Sequence, residues 1–186
     1  MHLVRPAREY LPAYVEALER GWSPNNERPE AAAREELASI AADPAAFLAA
    51  IDNPAGGGPP VTLPDGSTVP RLPGIRRWMW EDGFIGNIGL RWQHGTPELP
   101  PYCLGHIGYS VVPWAQGRGH ATAALRVMLQ EARRLRLPYV EITTDPDNLA
   151  SQRVIAKAGG ILHERFTKPA AFGSRPCLRY RVQLDD

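Results

Sequence analysis

The sequence predicts a mixed α/β fold of the α+β type, a mostly antiparallel sheet of about six or seven strands with flanking helices. Three observations carry this. Helical periodicity fills most of the first fifty residues, short strands joined by tight turns occupy the middle and the end, and one strand–helix–strand unit lies between them. An apolar fraction of 44% over 186 residues suits a single domain, with N-terminal helices and a loop over 1–74 and a core over 75–184.

Residues 2–4 read as a first strand. A helix over 8–20 follows, with Leu11, Val15 and Leu18 on one face and Gly21 as its stop. Pro29 opens a second helix, and 31–42 is rich in the strong helix formers Ala, Glu and Leu. Asp43 and Pro44 restart the pattern as cap and first-turn proline, bringing Phe47, Leu48 and Ile51. Residues 53–60 (NPAGGGPP) are irregular, and 63–73 contains the turn signal Pro64-Asp65-Gly66. The helices before this long loop are too short a segment for a core of their own. It therefore reads as a surface excursion beside a substrate site rather than a linker.

Residues 77–81 and 84–92 form a hairpin around Asp82-Gly83. A strand over 104–112 ends at Pro113, a helix runs over 119–135, and 139–144 is a strand. A helix over 149–158 closes at Gly159-Gly160, and strands over 161–167 and 178–184 finish the chain.

Composition narrows the function. Twenty-one basic and twenty acidic side chains leave a formal charge of +1, with no basic stripe of the kind nucleic acid requires. No apolar run reaches the roughly 18 residues of a membrane span, and the N-terminus has no signal-peptide core, so a cytoplasmic protein is expected. Cys103 and Cys177 are far apart and lack metal-ligand spacing; reduced packing residues are the default, and no metal is expected.

The stretch 109–125 (YSVVPWAQGRGHATAAL) is the most informative. A strand enters a turn with glycines at 117 and 119, and the turn opens into an amphipathic helix carrying Ala121, Ala124, Leu125, Met128 and Leu129 on one side. Glycine lets backbone approach a ligand, and the free amides of a first helical turn bind phosphate oxygens. Arg118 adds a charge at the rim. A tight strand-to-helix turn alone explains the glycines equally well. A P-loop is excluded because no Gly-Lys-Ser/Thr ends the segment, and a dinucleotide fingerprint fails at Thr122.

Gln116-Gly117-Arg118-Gly119-His120-Ala121 resembles the signature Gln/Arg-x-x-Gly-x-Gly/Ala of the GNAT superfamily of N-acetyltransferases. The block 148–160 (NLASQRVIAKAGG) is similar to that family's Asn-led helix ending in a Lys-x-Gly turn. The two blocks stand in the family's order and separation; the likeness covers roughly 75–184 and is loose before that. It implies that the strands over 104–112 and 139–144 splay apart around the pantetheine arm of acetyl-CoA. It further implies contacts at Val111 and Val112, a pyrophosphate on the amides of Arg118 to Thr122 with Gln116 and Gly117 also at the cofactor, and Asn148 and Ser151 near it. Asn148 and Ser151 also suit an N-cap and first turn.

The implied chemistry is acetyl transfer from acetyl-CoA to a primary amine of a small molecule or peptide. A lysine-like amine must first lose its proton to a base. His106 is the first candidate, with Tyr109 and Glu141 behind it. The family's usual acid, a tyrosine seven residues after the leading Asn, is here Ile155. Another group then protonates the thiolate, or the thiolate leaves unassisted at a pKa of about 8.5, or the chain is a silent acyl-CoA-binding module. A longer acyl donor also fits. Arg77, Trp78 and Trp80 are candidates for acceptor binding, though alternate tryptophans equally describe a buried strand face. The resemblance leaves room for a homodimer.

Overall fold

The computed structural model describes residues 1–184. Its elements are β1 (His2–Val4), α1 (Leu11–Glu19), α2 (Pro29–Ala42), α3 (Pro44–Ile51), β2 (Val61–Thr62), β3 (Thr68–Val69), β4 (Gly74–Trp80), β5 (Phe84–Arg91), β6 (Ile107–Val111), α4 (His120–Arg134), β7 (Tyr139–Thr144), α5 (Leu149–Lys157), β8 (Ile161–Thr167) and β9 (Pro176–Gln183). The expected α+β architecture is present. Two antiparallel sheets, β1-β4-β5-β6 and β7-β9-β8, supply its seven main strands.

The differences from expectation are local and have physical reasons. The first helix is preceded by a single 3-10 turn over Arg8–Tyr10, so α1 starts at Leu11. The loop after α3 folds its Pro64-Asp65-Gly66 turn into the two-residue hairpin β2–β3. β6 starts only at Ile107, because the chain before it leans on β7: the His106 amide donates to the Glu141 carbonyl at 2.7 Å. A Cβ on Gly105 would meet that same carbonyl at 3.0 Å, so glycine permits the close approach. From this point β6 and β7 pair with different neighbours and part, while α4 crosses between them.

Alternation on β5 sorts the two faces of the first sheet. Ile88 and Leu90 are fully buried on one, and Asn87, Gly89 and Arg91 lie on the other. Trp78 of β4 is paired with Asn87 and stacks on Tyr14 of α1 at 4.4 Å, so the Asn87 face is the one α1 covers. Phe84 meets Tyr14 edge-on at 5.1 Å and Trp22 at 4.9 Å. Each ring interred here contributes about 1.5–3 kcal/mol from removal of apolar surface. One continuous core runs from Leu11 to Leu184 and joins both sheets with α1, α3 and α4. Among the described residues no helix is long and apolar enough to cross a membrane.

Candidate active site

A cleft of about 1460 Å³ opens along the parting of β6 and β7 and continues over the α1 face of the first sheet. Sites for one drug-sized ligand span about 300–1000 Å³, so this one has room for two reactants.

Its first arm is built by the glycine turn. Gly117 and Gly119 have φ of 76° and 82°, a left-handed backbone that favours glycine, and a Cβ at either would meet nothing within 4 Å. Both therefore face open space. α4 begins at His120 with no side-chain cap, and its first backbone bond runs from the Ala123 amide to the Gly119 carbonyl. Among the described residues the amides of 117–122 have no acceptor. Behind them stands the positive end of a fifteen-residue helix dipole. The Gln116 side chain donates to the Val111 carbonyl at 3.1 Å and pins the turn to β6. Arg153 and Lys157 of α5 line the same arm.

At the parting itself Tyr109 and Ser151 meet. The Tyr109 hydroxyl lies 2.8 Å from Ser151 Oγ, and both residues line the cleft. Burial pushes the Tyr109 phenol up to about 12, offset in part by the Ser151 hydrogen bond. It keeps its proton at neutral pH. Asn148 caps α5, its Oδ1 accepting the Ser151 amide at 3.0 Å, and so fixes Ser151 in place. Ile155 is fully buried, and a Cβ on Gly160 would come within 2.3 Å of its Cγ2.

The structure brings Val111, Gln116, Gly117, Gly119, His120, Ala121, Thr122, Asn148 and Ser151 to the cleft with Tyr109. Other expected residues lie elsewhere. Val112 is fully buried with its amide on the Ile85 carbonyl and its carbonyl on the Ala115 amide, so its backbone is committed. Arg118 is exposed outside the cleft lining. The His120 ring turns toward Glu81, 3.7 Å away, leaving its backbone amide for the turn.

His106 is 1% exposed and held by main chain at both ring nitrogens: Nδ1 accepts the Glu141 amide and Nε2 contacts the Pro97 carbonyl, each at 3.0 Å. Burial lowers its pKa, and it does not line the cleft. Glu141 is on the far side of β7, paired with Arg181 at 2.7 Å and Arg179 at 3.5 Å. The acceptor candidates also fall outside. Trp78 is core, Trp80 packs on Tyr10 at 4.7 Å, and Arg77 pairs with buried Asp52 at 2.9 Å.

Sequence reading missed Asn87 and Arg91 of β5, both of which line the cleft. The signal was present in Ile85-Gly-Asn-Ile-Gly-Leu90, where Asn87 interrupts an apolar strand as Glu141 does. It also missed Glu27, Asp145 and Lys168, whose pairing joins segments 141 residues apart.

A family model described as an acetyltransferase (GNAT) domain matches residues 3–161. The match includes the N-terminal helices, which the sequence motifs alone resembled only loosely. No curated protein matches the chain by sequence. Among solved structures, the ribosomal-protein α-N-acetyltransferase RimL in complex with coenzyme A is similar at a TM-score of 0.63 and 14% identity, over 98% of this chain and 93% of that one. A mutant of the Vibrio cholerae spermidine N-acetyltransferase SpeG gives 0.60 and 13%, over 99% and 95%. The microcin C7 self-immunity acetyltransferase MccE, solved with acetyl-CoA and AMP, gives 0.59 and 13%, over 97% and 91%. At such identities the three likenesses concern the fold. The family match rests on sequence over most of the chain, and by it the chain belongs to the GNAT acetyltransferases.

Proposed function

We propose that this chain moves the acetyl group of acetyl-CoA to a primary amine of a small molecule or peptide, with residues 1–186 acting as one catalytic domain. The observation that carries the reading is the set of amides over 117–122 without an acceptor among the described residues, at a turn whose Gly117, Gly119, His120, Ala121 and Thr122 line a cleft with room for a second reactant. Coenzyme A or acetyl-CoA in the RimL and MccE structures supports it.

Acetyl-CoA supplies a thioester, whose acyl carbon accepts the amine and whose sulfur must end with a proton. The chain's own groups do the rest. The amides of 117–122 and the α4 dipole hold the diphosphate, and Arg153 and Lys157 add positive charge beside it. Tyr109 Oη and Ser151 Oγ form a two-hydroxyl relay at the parting of the strands. Ser151 Oγ gives the proton on the reactant side, Tyr109 Oη replaces it, and the proton that the attacking nitrogen sheds as the amide forms returns to Tyr109 Oη. This relay takes the place of the tyrosine that Ile155 displaces. Every carboxylate lining the cleft, among the described residues, is already in an ion pair or a cap, so the amine loses its proton to water.

Thiol release from acetyl-CoA with a panel of amines tests the reading. Turnover is expected with at least one amine, and Tyr109→Phe should lower kcat by about 100-fold, at the low end of acid–base contributions, while coenzyme affinity stays within about twofold. Coenzyme binding without turnover of any amine would leave a binding module instead, and full kcat in Tyr109→Phe would remove the relay.

A further inference from the structure

The second arm of the cleft, over the α1 face, decides what the acceptor is, and its charges are unequally engaged. Its carboxylates are occupied: Glu27 and Asp145 hold Lys168, Glu35 holds Arg28, and Glu36 holds Arg76 and the Tyr14 hydroxyl. Asp43 caps α3 through the amides of Ala45 and Ala46. Besides Arg153 on the first arm, two arginines of the lining have no carboxylate within ion-pair distance among the described residues. Arg71 donates only to the Pro59 carbonyl at 3.0 Å, and burial together with the charge of Arg76 lowers its pKa. Arg91 lies exposed with its guanidinium over Gly108, where a Cβ would come within 3.0 Å of Nη2.

The floor beside Arg91 is bare. Gly89 and Gly108 are paired across β5 and β6, so no side chain rises between Arg91 and Asn87 on that face. Asn87 is 3% exposed, and its Oδ1 has no hydrogen-bond partner. A buried acceptor left without a donor costs about 1–3 kcal/mol, a cost that a ligand N–H would remove. Four residues of strand separate the Cα atoms of Asn87 and Arg91 by roughly 13 Å, and the arginine side chain reaches back over part of that span.

Resting on the acetyl-transfer reading, we infer that the acceptor is an amine carrying an anionic group. Its nitrogen lies against Asn87 Oδ1, and its carboxylate or phosphate is taken by Arg91, with Arg71 adding positive charge to the same lining. A guanidinium suits either anion by paired N–H donors. A polycation such as a polyamine would meet two arginines without a direct ion-pair partner and no free carboxylate.

The test compares kcat/KM, at saturating acetyl-CoA, for alanyl-aspartate against alanyl-asparagine amide, phosphoethanolamine against ethanolamine, and spermidine. The anionic member of at least one pair should be preferred, and which pair responds tells carboxylate from phosphate. Arg91→Gln should cut kcat/KM for that member about 10- to 100-fold, the value of a charged hydrogen bond, sparing its neutral partner, and Arg91→Lys should restore part of the loss. Asn87→Ala should lower all amines together; because it is buried, its melting curve is recorded, and exposed Arg91 keeps the test independent of folding. Preference for spermidine or the neutral amines, or equal losses for charged and neutral amines in Arg91→Gln, would overturn the inference. Coenzyme binding with no turnover of either anionic amine also overturns it, whereas absent coenzyme binding strikes the transferase reading beneath it.

Discussion

The ring of His106 accepts a backbone N–H at Nδ1 and offers its Nε2 proton to Pro97, so it is neutral and wholly committed to main chain. Protonating Nδ1 would break the bond from Glu141. Burial accordingly sets its folded pKa below the ordinary 6.5. With the folded value depressed, the neutral ring's contribution is present above pH 6.5 and is lost as pH falls through the folded pKa. His106→Ala should cost about 1–3 kcal/mol at neutral pH by stranding two buried partners and should weaken that acid-side loss. Denaturant titrations between pH 5 and 7.5 check both; an unchanged midpoint would contradict the assignment. A histidine before a cofactor turn was visible in the sequence, but its burial was not, because burial comes from Tyr139 and the 97–98 loop, remote along the chain. Tyr109 was named from sequence as a candidate base; that its hydroxyl meets Ser151 Oγ across 42 residues was not visible there.

Among elements, α4 was the most legible, because its glycine turn and one-sided apolar stripe are local signals. The parting of β6 and β7 had no such signal and followed only from the family resemblance. Its physical root is Gly105, set against the β7 backbone. β8 is exposed along most of its length, so apolar alternation barely marks it. The tryptophans of β4 read equally well as site or core, and only the stack on Tyr14 settles Trp78 as core. On α5, Ile155 fills its space completely, with Gly160 folded against it. Ile155→Tyr, although it supplies the family's usual acid, should therefore destabilise the chain by about 1–3 kcal/mol through overpacking, without raising kcat. A more active variant, with an unchanged melting temperature, would refute this packing account.

Across the whole molecule, the first and last thirds of the chain are tied by charge as well as by the core. Lys168, 3% exposed, holds Glu27 from the segment before α2 and Asp145 from the β7–α5 connection. Burial alone would lower its pKa, but the hydrogen bonds it donates to those two carboxylates reverse the shift and raise it. A near-neutral composition gave no hint of this clasp, since counting charges says nothing about which ones meet. Lys168→Met should lower stability by about 1–3 kcal/mol, less than the 3–5 of a fully buried pair, because Arg175 still faces both carboxylates. Thermal melts will show it, and an unshifted melting temperature would mean the clasp holds nothing together.

The central claim is that the bare amides of 117–122 hold a diphosphate. Calorimetric titration of the intact chain with coenzyme A and with pantetheine, which lacks the diphosphate, tests it most directly. The account predicts that coenzyme A binds at least about 100-fold more tightly, as a few charge-assisted hydrogen bonds require. Equal affinities for the two, or no heat with coenzyme A, would contradict it.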